Sequence, residues 1–168
     1  MKQQIAQKLE QAFSQYGFAE PSVSQLQRYC GVSLRTLYKY YSSKEEMIIA
    51  ALTFRHQRYM ELLTTRAESE GMAGIKCVFQ ELESWMTHHA PHGCMSTLAV
   101  ASFPDNQTIA QVVNSHKLDV RAFLVQRVGD ERRGEQLFLL HEGVTATWPV
   151  LGKQALSTAN DMINELVR

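Results

Sequence analysis

The chain of 168 residues has no run of about 18 apolar residues, the length a membrane-spanning helix needs. Its start, MKQQIAQKLEQAF, reads as an amphipathic helix and not as a signal peptide, so no export and no membrane insertion are expected and the cytoplasm is the expected compartment. Cysteine is scarce: Cys30, Cys77 and Cys94 are odd in number and lack CxxC spacing, which excludes a disulfide framework and predicts reduced thiols. Four prolines and the absence of low-complexity runs leave a compact globular chain, long enough to bury a core. Catalytic signatures are also missing, since there is no Gly-rich phosphate loop, no HExxH and no nucleophile elbow. Glu81, Glu83 and Glu142 are expected to be isolated carboxylates facing solvent, so neither an enzyme nor a resident cofactor is expected.

Net charge is zero as well, which by itself argues against a nucleic-acid binder. The balance is uneven along the chain, however. Residues 1–58 carry eight Lys and Arg against four Glu, a surplus of +4, and the remainder carries nine basic against thirteen acidic residues, a deficit of −4. A basic head on an acidic body is drawn to phosphate at one end and repelled at the other.

Periodicity is helical throughout and nothing alternates with period two, so the fold class is all-α, with about nine helices. A first helix, Lys2 to Tyr16, stripes Ile5, Leu9, Ala12, Phe13 and Tyr16. Ser22 and Gln25 then form a capping box for a short helix ending at Gly31. Ser33 caps the next helix, Leu34 to about Tyr41, which buries Leu37 and Tyr41 and turns Arg35, Thr36, Tyr38, Lys39 and Tyr40 elsewhere. Such donors and aromatics suit base edges and phosphates.

Gly31-Val32-Ser33, Thr36-Leu37-Tyr38, Tyr41 and Ser43-Lys44-Glu45 resemble the helix-turn-helix signature of the TetR family of one-component transcriptional regulators. The likeness extends upstream through Phe13, Tyr16, Gly17, Phe18, Ser22 and Val23. It departs at Gln27, where a small residue is usual, and at bulky Tyr29. The resemblance implies a three-helix DNA-binding domain at 1–45 and a helical ligand-binding and dimerisation domain at 46–168. The DNA-contacting set is then Ser22, Arg28, Ser33, Arg35, Thr36, Tyr38, Lys39, Tyr40 and Lys44. Among these, Arg35, Thr36 and Tyr40 are expected to read bases, and Tyr38, Lys39 and Lys44 to hold phosphates.

Beyond the motif a long helix runs from about Lys44 toward Ser69, and Gly71 to Gly74 is expected to break the chain. Stripes through Ile75–His89, Met95–Ser102 and Ile109–Val128 follow. Two last helices bear Leu137, Leu140, His141, Val144 and Trp148, and then Ala155, Leu156, Ala159, Met162, Ile163 and Leu166. The former is also apolar off its stripe at Phe138 and Leu139, so cover on a second side is required. A homodimer is therefore expected, with Leu140, Val144, Leu156, Ala159, Ile163 and Leu166 at its interface. His89, His116 and His141 each fall on the apolar stripe of a different helix, alongside Trp85, Met86 and Phe123. Together these six would line a mostly apolar pocket for a small-molecule effector. The resemblance implies that such an effector releases double-stranded DNA from a palindromic operator. Two alternatives stand beside this reading: a helical dimer that binds a small molecule or partner protein without DNA function, and a metal or redox sensor built from His88, His89, His92 and Cys94.

Overall fold

A computed structural model of the chain describes residues 1–67 and 70–166. Among these residues all regular structure is helical: α1 (Lys2–Tyr16), α2 (Val23–Cys30), α3 (Leu34–Tyr40), α4 (Lys44–Arg66), α5 (Gly71–His89), α6 (Met95–Ser102), α7 (Gln107–Val128), α8 (Glu131–Leu151) and α9 (Lys153–Leu166). None of the described helices is long and apolar enough to cross a membrane.

The helices sort into two compact units, residues 1–58 with 95–114, and residues 59–94 with 115–168. This packing division places residues 46–58 and the whole of α6 with the N-terminal helices, so it does not coincide with the 1–45 and 46–168 division expected from function. The first unit is built around Leu9, Phe13, Leu26, Leu37, Met47 and Ile48, each at most 2% exposed. Met95, Ala99, Ile109 and Val113, from α6 and the start of α7, complete this core. The second unit buries Leu63, Ile75, Phe79, Leu82, Met86 and Leu124, with Leu156, Ala159 and Ile163 of α9 in the same cluster.

Two expectations are corrected. Gly71 stands at the interruption between α4 and α5 with φ +65°, but Gly74 does not extend that break and is buried inside α5. The stretch ending at Ser69 is described only as far as Arg66 for the helix, and Ser69 itself lies outside the described residues. Met162 is not inward but 48% exposed. The start of α8 follows a simple rule: Gly129 closes α7 in the left-handed region and Asp130 caps α8, accepting from the Arg133 backbone N–H at 2.7 Å.

Candidate nucleic-acid interface

The two motif helices are fixed by local hydrogen bonds that their own sequence supplies. At the start of α2, the Gln25 backbone N–H donates to Ser22 Oγ at 3.3 Å, and the Ser22 N–H donates to Gln25 Oε1 at 2.8 Å. Each side chain thus satisfies a backbone donor that the first turn leaves open. At the other end Gly31 takes φ 68° and ψ 29°, the left-handed conformation that glycine adopts without a Cβ clash. Gln27 turns out to have a role where a small residue was expected. It is half-buried, and its side-chain amide donates to the Val32 carbonyl, tying α2 to the turn. Tyr29 is accommodated by packing edge-on against Tyr16, with ring centroids 6.0 Å apart.

Ser33 then caps α3, accepting from the Thr36 N–H at 3.0 Å and sharing a hydroxyl contact with Thr36 Oγ1 at 2.8 Å. Leu37 is fully buried and Tyr41 nearly so, with the Tyr41 hydroxyl donating to the Lys2 carbonyl at 3.1 Å. These two anchors settle the rotation of α3 about its own axis. Arg35, Tyr38 and Lys39 consequently lie exposed on the opposite side, with Thr36 and Tyr40 half-buried beside them. Lys39 Nζ sits 5.8 Å from the Tyr40 ring centre, a cation–π arrangement that places a charge next to a flat aromatic face. Ser22 and Arg28, at the two ends of α2, are exposed.

Lys44 is differently placed from the other cations. It is half-buried, and its ammonium donates to the Ala19 carbonyl at 3.1 Å, which clamps the start of α4 to the loop after α1. Burial lowers its pKa from the usual lysine value. The same helix start is capped by Ser43, which accepts from the Glu46 N–H at 3.1 Å, while Glu46 accepts from the Ser42 N–H at 2.7 Å. That second bond is the main reason the Glu46 carboxyl lies below its ordinary pKa.

The charge of the first unit is correspondingly one-sided. It carries eight Lys and Arg against five acids once Asp105 is included. Of those acids, Glu10 is turned into the core, where it accepts from Arg55 at 2.5 Å and from Arg58 at 3.4 Å. A surface carrying Arg28, Arg35 and Lys39, with Ser and Tyr hydroxyls between them, is what phosphate and base-edge binding requires.

The residues expected to bind an effector belong to the second unit. Trp85, Met86, Phe123 and His141 are buried there. Trp85 packs on Tyr59 at 5.0 Å and on His89 at 4.8 Å, and His141 lies 5.8 Å from Tyr59, so Tyr59 joins Trp85, His89 and His141 into one aromatic group. His89 is nevertheless exposed, contrary to its expected place on a buried stripe, because α5 ends at that residue. His116 is half-buried on α7. Among the described residues no three His, Cys, Asp or Glu side chains are gathered as metal ligands, the His88–Cys94 stretch included.

The expected dimer residues lie elsewhere than at an open surface. Val144, Leu156, Ala159 and Ile163 are at most 5% exposed within the single chain, and Leu140 and Leu166 are half-buried against the same core. α9 spends its apolar stripe on α5 and α8. Uncovered apolar side chains of this unit include instead Leu139, Val150 and Met162, exposed by 73%, 85% and 48%.

Two arrangements escaped the sequence reading. Tyr16, Gln25, Arg28 and Tyr29 line a cleft of about 490 Å³ between α1 and α2, whose only sequence signal was the bulk of the two tyrosines. Glu142 is no isolated surface carboxylate. It is half-buried and bonded to both Lys117 and His141, partners that chain position could not reveal.

Residues 6–51 match the family model of the bacterial regulatory proteins of the tetR family. No curated protein sequence matches the chain. Among solved structures, a TetR-family transcriptional regulator from Streptomyces coelicolor superposes with a TM-score of 0.86 at 16% identity, covering 98% of this chain and 95% of that one. A TetR transcriptional regulator from Legionella pneumophila gives 0.80 at 13% identity, over 98% and 96% of the two chains. A TetR-family regulator from Cytophaga hutchinsonii gives 0.79 at 15%, over 98% and 93%. At such identities the structural likeness speaks for the fold, and the matched N-terminal residues speak for the helix-turn-helix. The N-terminal region thus matches the tetR-family helix-turn-helix model, and the whole chain shares the fold of solved TetR-family regulators.

Proposed function

We propose that the chain is a non-catalytic repressor that binds a palindromic DNA operator as a homodimer and is released from it by a small, mostly apolar ligand. The observation that carries the DNA half of this reading is the pinning of α3 by Leu37 and Tyr41, which leaves Arg35, Tyr38 and Lys39 on one exposed side. In this reading α3 enters the major groove, Arg35 reads a base, Thr36 and Tyr40 assist it, and Tyr38 and Lys39 hold phosphates. Ser22 and Arg28 meet the backbone from α2, and Ser33 meets it from the turn. Lys44 serves first as a clamp on Ala19 and offers its remaining N–H donors to phosphate.

The homodimer is assigned to the open side of α8 and α9, where Leu139, Gly143, Ala146 and Val150 recur at helical spacing and Met162 is exposed. Val144, Leu156, Ala159 and Ile163 support that surface from behind. A two-fold pair would present two copies of α3 to major-groove faces about 34–36 Å apart, which is why a palindrome is expected. The effector site is assigned to the aromatic group around Tyr59, Trp85 and His141, with Met86, His89, His116 and Phe123 as its surroundings.

Selection of bound sequences from a random DNA pool tests the reading. A palindrome is the expected result. Arg35→Ala should then cost about 1–3 kcal/mol on the selected site and relax preference at one position of each half-site. A pool that shows no enrichment, or binding whose affinity does not fall steeply with salt, would refute it.

A further inference from the structure

The first unit holds a cleft that stands apart from the exposed side of α3. It lies between α1 and α2 and measures about 490 Å³, within the roughly 300–1,000 Å³ range of small-molecule sites. Ala12, Pro21 and Leu26, all buried, give it apolar walls, and Tyr16 and Tyr29 meet there edge to face with ring centroids 6.0 Å apart. Tyr16 is 50% exposed, which leaves one ring of the pair open to a further aromatic group.

Two charges of opposite sign line the same cleft, Glu20 from the loop after α1 and Arg28 from the last turn of α2. Both are exposed, and among the described residues neither side chain is engaged in an ion pair. Their backbones are nonetheless held. The Lys44 ammonium donates to the carbonyl of Ala19, next to Glu20, at 3.1 Å, and Phe18 of the same loop stacks on Phe13 with ring centroids 5.2 Å apart. α2 is fixed at one end by its capping box and at the other by the left-handed Gly31. A cleft whose walls are set before a ligand arrives loses little affinity to ordering.

A ligand of single charge would meet one attractive and one repulsive group here, whereas a zwitterion meets two attractive ones. We propose that the cleft binds a small aromatic zwitterion of the amino-acid type. Its ring packs on Tyr16 and Tyr29, its carboxylate accepts from the Arg28 guanidinium, and its ammonium donates to the Glu20 carboxylate. A guanidinium offers a carboxylate two parallel N–H donors, and an ammonium is also drawn to the face of a tyrosine ring. The site is separate from the effector group around Tyr59, Trp85 and His141, which belongs to the second unit. Occupancy would draw Arg28 away from phosphate, a consequence that rests on the DNA reading proposed above, while the site itself does not.

Ligand-observed NMR titration of the full chain without DNA tests the site, with L-tryptophan, tryptamine and indole-3-propionate as probes. L-Tryptophan should bind with a Kd below about 1 mM, and the two analogues, each lacking one charge, at least about tenfold more weakly. Arg28→Gln should weaken L-tryptophan about tenfold and leave tryptamine within about twofold, because tryptamine has no carboxylate for Arg28 to hold. Glu20→Gln should weaken L-tryptophan by a similar factor without weakening indole-3-propionate, which has no ammonium. This crossed pattern separates lost charge contacts from a disturbed fold, which would weaken every probe. The proposal is overturned if L-tryptophan fails to bind at about 10 mM, or if either analogue binds within about twofold of it. It is equally overturned if both variants bind L-tryptophan as the unaltered chain does, since the ligand then sits elsewhere, or if a variant weakens all three probes alike. Should a variant lose its helical circular dichroism, the ranking of the three probes on the unaltered chain decides. Because no DNA is present, failure here is distinct from failure of operator binding.

Discussion

The two units hold their polar groups in different ways. In the first, the bonds that cap the motif helices are local: Ser22 with Gln25, Ser33 with Thr36, and Ser43 with Glu46 each join residues three positions apart. In the second, a polar network joins distant residues, with Lys117 and Glu142 25 positions apart and Tyr59 and His141 82 apart. Local bonds hold short helices in register, as a recognition element requires. Distant bonds can form only after the helices have packed, so they report on tertiary assembly and place reactive groups together inside it.

The first unit also has distant bonds, Tyr41 with Lys2 and Lys44 with Ala19 among them, and one such bond gives the largest expected effect. Glu10 of α1 is bonded to Arg55 and Arg58 of α4 from within the core, with 5% of its side chain exposed. Glu10→Ala leaves buried guanidinium charge without its carboxylate and should cost about 3–5 kcal/mol in chemical denaturation. A cost below about 1 kcal/mol would show that the motif unit stands on its local bonds and apolar packing alone, which would sharpen the contrast.

A smaller effect is expected from the second unit, and it depends on pH. Burial raises the Glu142 carboxyl, but its bond to His141 and the charge of Lys117 lower it further, and the net shift is downward. A carboxyl whose folded pKa is depressed contributes stability that is complete above its unfolded value and is lost as pH falls through the folded value. Glu142→Gln should therefore cost about 2 kcal/mol at pH 7. The gap to the unaltered chain should shrink as the medium is acidified below about pH 4.3, the unfolded carboxyl value. Thermal melts at several pH values read this, and a gap that stays constant down to pH 3 would remove the network from the account of stability.

The smallest effect belongs to a single cap. Ser33→Ala removes the acceptor for the Thr36 N–H and should cost about 1 kcal/mol. Because α3 spans only Leu34–Tyr40, the change should raise amide exchange in that helix while leaving α8 and α9 untouched. Exchange that rises equally in both units would mean that local and distant bonds fail together, which breaks the comparison.

How much could be read from sequence follows the same division. The capping box at Ser22, the left-handed Gly31, the Ser33 cap and the inward Leu37 were all legible, because each depends on residues within one or two helical turns. Gly74 misled, since a glycine buried inside a helix looks the same in sequence as one that ends it. The apolar stripe of α9 was legible as a stripe, but Leu156, Ala159 and Ile163 could not be assigned between a partner subunit and the chain's own α5 and α8. Periodicity gives a buried face without saying what buries it.

Sequence by itself determined the helical class, the boundaries and caps of the motif helices, and the side of α3 that carries Arg35, Tyr38 and Lys39, because these are consequences of short-range backbone chemistry. Only the tertiary structure decided that Glu10 sits under Arg55, that Lys44 clamps Ala19, that Leu139 and Val150 are the most open apolar residues of α8, and that Cys94 meets Lys117. Those pairings join residues from separate stretches of the chain. Their distances are set by how whole apolar faces pack, a quantity summed over many weak contacts that no single stretch of sequence contains.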